Sequence, residues 1–348
     1  MAERFGPVVA RCTMCRVRRI VPVLTVVVLA LIAPSDGAIA QETPAHVLRL
    51  STLLPRNTQM TRALTLWNRQ LAERTGGRLS VRMYWGGAMG DEQTMVRRMR
   101  NGQLDGASLT SGGLAQIHQP VLVMQVPGVF STYTQVDRVR TAIGPELAQG
   151  FEREGFTLIG WGDSGRVRLF SREPVRRPRD LLRARAWRPQ ADVIFNEVLS
   201  VAGASGITLS VGEVYGGLRT GMIDVVPGTA IAVTALQWFT SLRYVTGQSD
   251  GFLIGGMVVR RGFLDELPAD VREVLLTSAR ENQGRFLESV READERAYLA
   301  LIRHGVRETD MRPHEAEWRQ VGAQARRRLA GRVYPASLLE RVEQIAAQ

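Results

Sequence analysis

The side chains able to do chemistry in this sequence are polar and aromatic groups at the ends of strand-like runs. Asn57, Thr58, Ser111 and Gly112 form one set. Trp161, Asp163, Arg166 and Arg168 form a second, and Trp187, Arg188, Gln190, Thr229, Gln237 and Trp238 a third. Neutral donors, guanidinium groups and aromatic walls in this mixture suit non-covalent capture of a small organic anion. Arg166 and Arg168 stand two apart in a strand and share a face, which is either a cleft wall or a solvated edge. Trp187 reads equally as cleft wall or core.

Residues for covalent, metal or cofactor chemistry do not assemble. His46, His118, His304 and His314 are scattered, without H-x-x-x-H or H-E-x-x-H spacing. Asp91 and Glu213 sit where helix caps belong. Gly86, Gly87 and Gly90 make turns, since neither GK[ST] nor the G-x-G-x-x-G frame follows. No cofactor or metal site is expected, and the chain is not read as an enzyme. A secreted two-lobed enzyme and a ligand-sensing partner of a signalling receptor are the alternatives, because such a fold hosts many functions.

The elements that must position these residues follow from periodicity. His46 to Leu53, Leu79 to Tyr84 and Ala107 to Thr110 alternate as strands, separated by helices over Thr61 to Thr75 and from Asp91 to about Asn101. Thr134 to Arg153 is a surface helix. Phe156 to Trp161 and Val167 to Phe170 are strands on either side of a crossing at Trp161 to Gly165. A second unit has strands at Arg183 to Arg188, Ile207 to Leu209 and Met222 to Val226. Helices lie between them at Val193 to Val201 and after Ser210, which with Glu213 spells a capping box. Strands return at Tyr244 to Thr246 and Phe252 to Arg260, and the rest is helical with a break near Tyr334-Pro335. The fold class is therefore α/β, with two lobes built on β-α-β-α-β units, which bind ligands beyond the C-terminal ends of parallel strands. The expected division is lobe I over 41–165, completed by about 247–290, lobe II over 166–246, and C-terminal helices over 291–348.

Residues 1–40 read as a cleavable secretory leader. Arg16, Arg18 and Arg19 precede an apolar run from Ile20 to Ala33, and Ala38-Ile39-Ala40 is an A-x-A site. Cys12 and Cys15, the only cysteines, fall inside it, so the expected mature chain carries no disulfide. All 45 basic residues are arginine against 34 acids; removing the leader's five arginines and two acids leaves 40 and 32, a net +8. The arginines are dispersed among acids, as in 138–153 and 280–296, which describes solvated helix faces and excludes a nucleic-acid patch.

Several stretches together resemble the solute-binding proteins of tripartite ATP-independent periplasmic (TRAP) transporters, DctP type. They are Glu73 to Ala107, QVPGVF at Gln125 to Phe130, GRVRLFSREPV at Gly165 to Val175, and GASGITLSVGEVYGGLRTGMID at Gly203 to Asp224. The resemblance implies a periplasmic, two-lobed receptor with a hinge and a C-terminal helix bracing the lobes; the two-lobed pattern leads to the expectation of a monomer. It implies a small organic, carboxylate-bearing ligand and integral membrane transporter subunits as partners. Most members of the family carry an arginine that clamps the ligand carboxylate where this chain has Trp187. Arg188 follows on the opposite strand face, and Pro227-Gly228-Thr229 replaces an Asn-Pro pair, which marks a sub-branch. The expectation is that Trp187 forms an aromatic wall and that Arg166 or Arg168 supplies the charge-assisted contact.

Overall fold

A computed structural model describes residues 45–348, apart from Asn57 and Asp250. The expected leader and Asn57 lie outside the described residues. The first unit comprises β1 (His46–Thr52), α1 (Gln59–Arg74), β2 (Leu79–Tyr84), α2 (Glu92–Arg100) and β3 (Gly106–Thr110). Each helix starts on a side chain that satisfies an otherwise orphaned backbone N–H. Thr58 and Thr61 form a reciprocal cap on α1, and Asp91 accepts from the Thr94 N–H on α2 at 2.8 Å. A short helix, α3 (Ser111–Ala115), follows, and then α4 (Tyr133–Arg153).

One continuous strand, β4 (Phe156–Ser171), replaces the two runs expected around the crossing. It absorbs the crossing through register shifts at Leu158/Gly160 and Asp163/Gly165. Gly165, at φ +114°, lies against the Asp294 carboxylate, where a Cβ would collide. The second unit comprises β5 (Ala186–Pro189), α5 (Val193–Val201), β6 (Gly206–Leu209), α6 (Val211–Thr220) and β7 (Val225–Gly228). Ser210 and Glu213 cap α6 reciprocally, and Gly221 ends it in the left-handed region. β5 and β7 both lie further along than periodicity places them. Pro178–Arg183 is wound into a 3₁₀ turn, and Ile223 still belongs to the turn after α6, its N–H bonded to the Gly217 carbonyl.

The remaining elements are α7 (Ala230–Ala235), β8 (Tyr244–Thr246), β9 (Gly251–Arg260), α8 (Arg261–Glu266), α9 (Ala269–Arg303), β10 (Arg307–Thr309), α10 (Glu315–Leu329) and α11 (Ala336–Ala346). The strands run in the order β2-β1-β3-β9-β4-β7-β5-β6, with β8 against β4 and β10 against β8. Two sheets meet on β4: Phe156 to Val167 pair β9, and Arg168 to Ser171 pair β7 and β8. Within each unit the strands are parallel, so their C-terminal ends open on one side.

This is the two-lobed α/β architecture. Apolar clusters cover both faces of each sheet, one pair around Leu50, Trp67, Met95 and Val139, the other around Phe170, Leu199, Val214 and Leu218. The 35-residue α9 touches both sheets. Its Ser278 accepts from the Trp67 indole at 3.1 Å, and its Asp294 accepts from the Arg166 and Ile231 N–H groups at 2.9 and 3.1 Å. α10 packs on α5, and α11 packs on α4.

Candidate functional site

The C-terminal ends of the parallel strands converge on a cavity of about 930 Å³. From the first sheet come Thr52, Leu53 and Leu54 after β1, and Ser108 to Gly112 at the end of β3. From the second come Trp187, Pro189 and Gln190 on β5, Leu209 on β6, and Pro227 to Thr229 on β7. The crossing adds Trp161, Gly162, Asp163 and Ser164. α1 contributes Leu64 and Trp67, and α9 contributes Asn282, Gln283, Arg285 and Phe286. The two rims approach at Gly112, whose Cβ, if it had one, would stand 3.2 Å from Ala191 Cβ and from the Ala191 carbonyl oxygen.

Of the residues singled out from the sequence, Thr58, Ser111, Gly112, Trp161, Asp163, Trp187, Gln190, Thr229 and Trp238 line this cavity. Several are already committed. Trp187 is buried, donates from its indole N–H to the Leu209 carbonyl at 3.0 Å, and meets Trp238 edge-on at 5.3 Å between centroids. Thr229 caps α7, accepting from the Ala232 N–H at 3.4 Å. Ser111 donates to the side-chain oxygen of Gln125.

Asp163 is fully buried as a side chain, and both of its oxygens are taken. One accepts from Arg140, itself 6% exposed, and the other from Arg291 Nε at 2.7 Å. Asp137 joins both guanidiniums, at 3.0 Å from Arg140 and 2.6 Å from Arg291. This network pins α4, the crossing of β4 and α9 together. The neighbouring carboxylates hold the Arg291 guanidinium protonated more firmly than usual, against the opposing effect of burial.

Arg166, Arg168, Arg188 and Gln237 do not line the cavity. Val167, between the two arginines, does, so strand alternation turns both arginines away. Arg166 lies over the Phe252 and Tyr133 rings at 4.9 and 5.2 Å and donates to the Ser131 carbonyl. Arg168 is buried against the Tyr298 ring at 4.0 Å, with Nε and Nη1 unpartnered. Arg188 is exposed, on the face of β5 opposite Trp187. Gln237 is exposed in a left-handed turn, φ 58°.

Residues that sequence reasoning missed include Trp67 on α1 and the α9 face at Asn282, Gln283 and Phe286. On helices, their spacing is that of core packing, and nothing local separates a cavity wall from a core. Gln283 accepts from the Trp161 N–H at 2.8 Å, which ties α9 to the crossing. Glu92 backs the cavity at the end of β3, accepting from the Thr110 N–H and hydroxyl at 2.6 and 2.7 Å. Burial pushes its carboxyl above the usual range.

Residues 50–331 match the family described as bacterial extracellular solute-binding protein, family 7 (DctP). An uncharacterized protein of Salmonella typhimurium, YiiZ, is 29% identical over 187 residues, which is 53% of this chain and 57% of that protein. The 2,3-diketo-L-gulonate-binding periplasmic protein YiaO of Escherichia coli is 25% identical over 219 residues, 62% of this chain and 66% of its own length. The chain thus spans about half to two thirds of the curated relatives it matches first. The crystal structure of DctP7, a Bordetella pertussis extracytoplasmic solute receptor binding pyroglutamic acid, superposes with a TM-score of 0.80 at 17% identity. The match covers 87% of this chain and 99% of that one.

Proposed function

The chain belongs to the DctP family of bacterial extracellular solute-binding proteins, and from that premise we propose that it is the periplasmic receptor of a TRAP-type transporter. It encloses a small organic acid between its lobes and delivers it to integral membrane subunits. The observation that carries this reading is the cavity at the C-terminal strand ends of both sheets, bridged at the crossing and by α9, with rims that approach at Gly112 and Ala191. YiaO and DctP7 are named for organic acids, which supports the same class here. Among the sequence-selected residues, Thr58, Ser111, Gly112, Trp161, Trp187, Thr229 and Trp238 are the proposed ligand contacts, as they line that cavity. Asp163 serves as a brace beside the ligand, because both its oxygens are occupied.

The chemistry proposed is binding without turnover. Glu92 is engaged by Thr110, Asp91 and Asp192 accept from N–H groups at the starts of α2 and α5, and Asp163 is neutralised by arginines. None is left to act as a general base. The proposed mature chain begins at Gln41, acts as a monomer, and carries its lobe boundary on β4 near Gly165. Native mass spectrometry of protein taken from the periplasm tests all of this together. It should show a monomer of the mass starting at Gln41 carrying one organic acid unchanged. A retained leader, a dimer or a chemically altered ligand would each refute the corresponding part.

A further inference from the structure

The proposed receptor's cavity has an uneven supply of charge. Among its described lining residues the only cation is Arg285, on the flank of the α9 face that carries Asn282 and Phe286. Arg285 is exposed, and among the described residues no carboxylate lies within ion-pair distance of it. The carboxylates at the wall are all engaged by arginines or backbone N–H groups, as described above. The lining is mostly apolar, with Trp67, Trp161, Trp187, Trp238 and Phe286 supplying aromatic surface.

Size points the same way. A cavity of about 930 Å³ stands near the top of the range, about 300–1,000 Å³, in which sites bury drug-sized ligands. A four-carbon diacid would fill a fraction of it. It would also set at least one carboxylate against an apolar wall with no cation, which is strongly unfavourable for an ionised group.

Resting on the receptor reading, we propose that the ligand is an amphipathic monocarboxylate. Its aromatic or alicyclic body occupies the tryptophan-lined chamber, and its one carboxylate meets Arg285. Hydrogen bonds to the body come from neutral side chains: the amide nitrogen of Gln283 and the side-chain carbonyl of Asn282 have no partner among the described residues. Arg285 is thus the specificity-determining residue for the charged end, and the aromatic wall for the rest.

The test is calorimetric titration of the mature protein with 3-phenylpropionate, its primary amide, cyclohexanecarboxylate, succinate and D-glucuronate, repeated on Arg285→Gln and Arg285→Lys. One of the two monocarboxylates should bind at least tenfold more tightly than either succinate or D-glucuronate. Arg285→Gln should weaken 3-phenylpropionate by roughly tenfold, the scale of one charge-assisted hydrogen bond at a partly exposed site. It should leave the amide unchanged and abolish the salt dependence of acid binding, while Arg285→Lys restores part of the loss. The thermal midpoint should not move, since Arg285 holds no ion pair. Tighter binding of succinate or D-glucuronate overturns the inference and leaves the receptor reading standing. Equal binding of acid and amide with no response to Arg285→Gln also overturns it. Failure of all five compounds at millimolar concentration counts against both.

Discussion

Asp163→Asn probes the brace beneath the cavity. The substitution keeps the shape but removes the charge that Arg140 and Arg291 share. Arg140 is 6% exposed and Asp163 is fully buried, so solvent does not screen this pair. Removing one partner of a buried ion pair costs about 3–5 kcal/mol, because the other charge stays buried without compensation. Two features place this case at the lower end. Asp137 keeps a contact to each guanidinium, and Arg291 is 21% exposed. The expected loss is therefore about 3 kcal/mol. With a urea m-value of about 3 kcal/mol/M, the unfolding midpoint should fall by about 1 M. The assay is urea denaturation followed by circular dichroism. Asp137→Ala serves as reference and should cost less, because that side chain is 44% exposed. A loss below about 1 kcal/mol for Asp163→Asn, with the m-value unchanged, would show that water reaches the network and that it does not brace the crossing.

Other outcomes follow from single contacts. Gly112→Ala should weaken solute binding by roughly tenfold or more without changing the fold, since its Cβ would press on Ala191 and overpacking costs about 1–3 kcal/mol; unaltered calorimetric affinity would separate that contact from closure. Trp187→Ala should lower both stability, by about 3–5 kcal/mol, and affinity, whereas Trp187→Phe should keep the fold and lose only the bond to Leu209; denaturation and titration of both variants separate the two roles. His118 packs edge-on to Phe151, and burial with help from Arg153 holds its imidazole below its ordinary 6.5. The unfolded chain then binds a proton that the folded chain refuses, so this contribution is whole above 6.5 and is lost as pH falls from there through the folded value. His118→Gln should flatten that part of the urea-midpoint profile, and an unchanged acid slope would refute the assignment.

Local chemistry in the sequence carried the helices. Ser210 with Glu213 marks the start of α6 and Gly221 its end, because the groups that satisfy the terminal N–H groups lie within one turn. The spacing in Val193 to Val201 gives α5 to the residue. Alternation likewise fixed that Arg166 and Arg168 share a face, as do the opposed faces of Trp187 and Arg188. It could not say which face looks into the cavity, because that depends on the register shift at Asp163/Gly165 and on the approach of Asp294, 128 residues from Arg166. The α9 wall was hidden for a related reason. Phe286 and Gln283 sit among residues spaced for packing, and only the crossing of β4 beneath them turns part of that face towards a void.

A helix of 35 residues is about 50 Å of stiff rod. α9 is bolted to the first sheet at Ser278, to the crossing at Gln283, and to the second sheet at Asp294 and Tyr298. Its cavity-lining residues lie between the outer bolts. A bound molecule that leans on Phe286 therefore loads the middle of a beam held at both ends, so occupancy is felt at both sheets through one elastic member with no loop in the path.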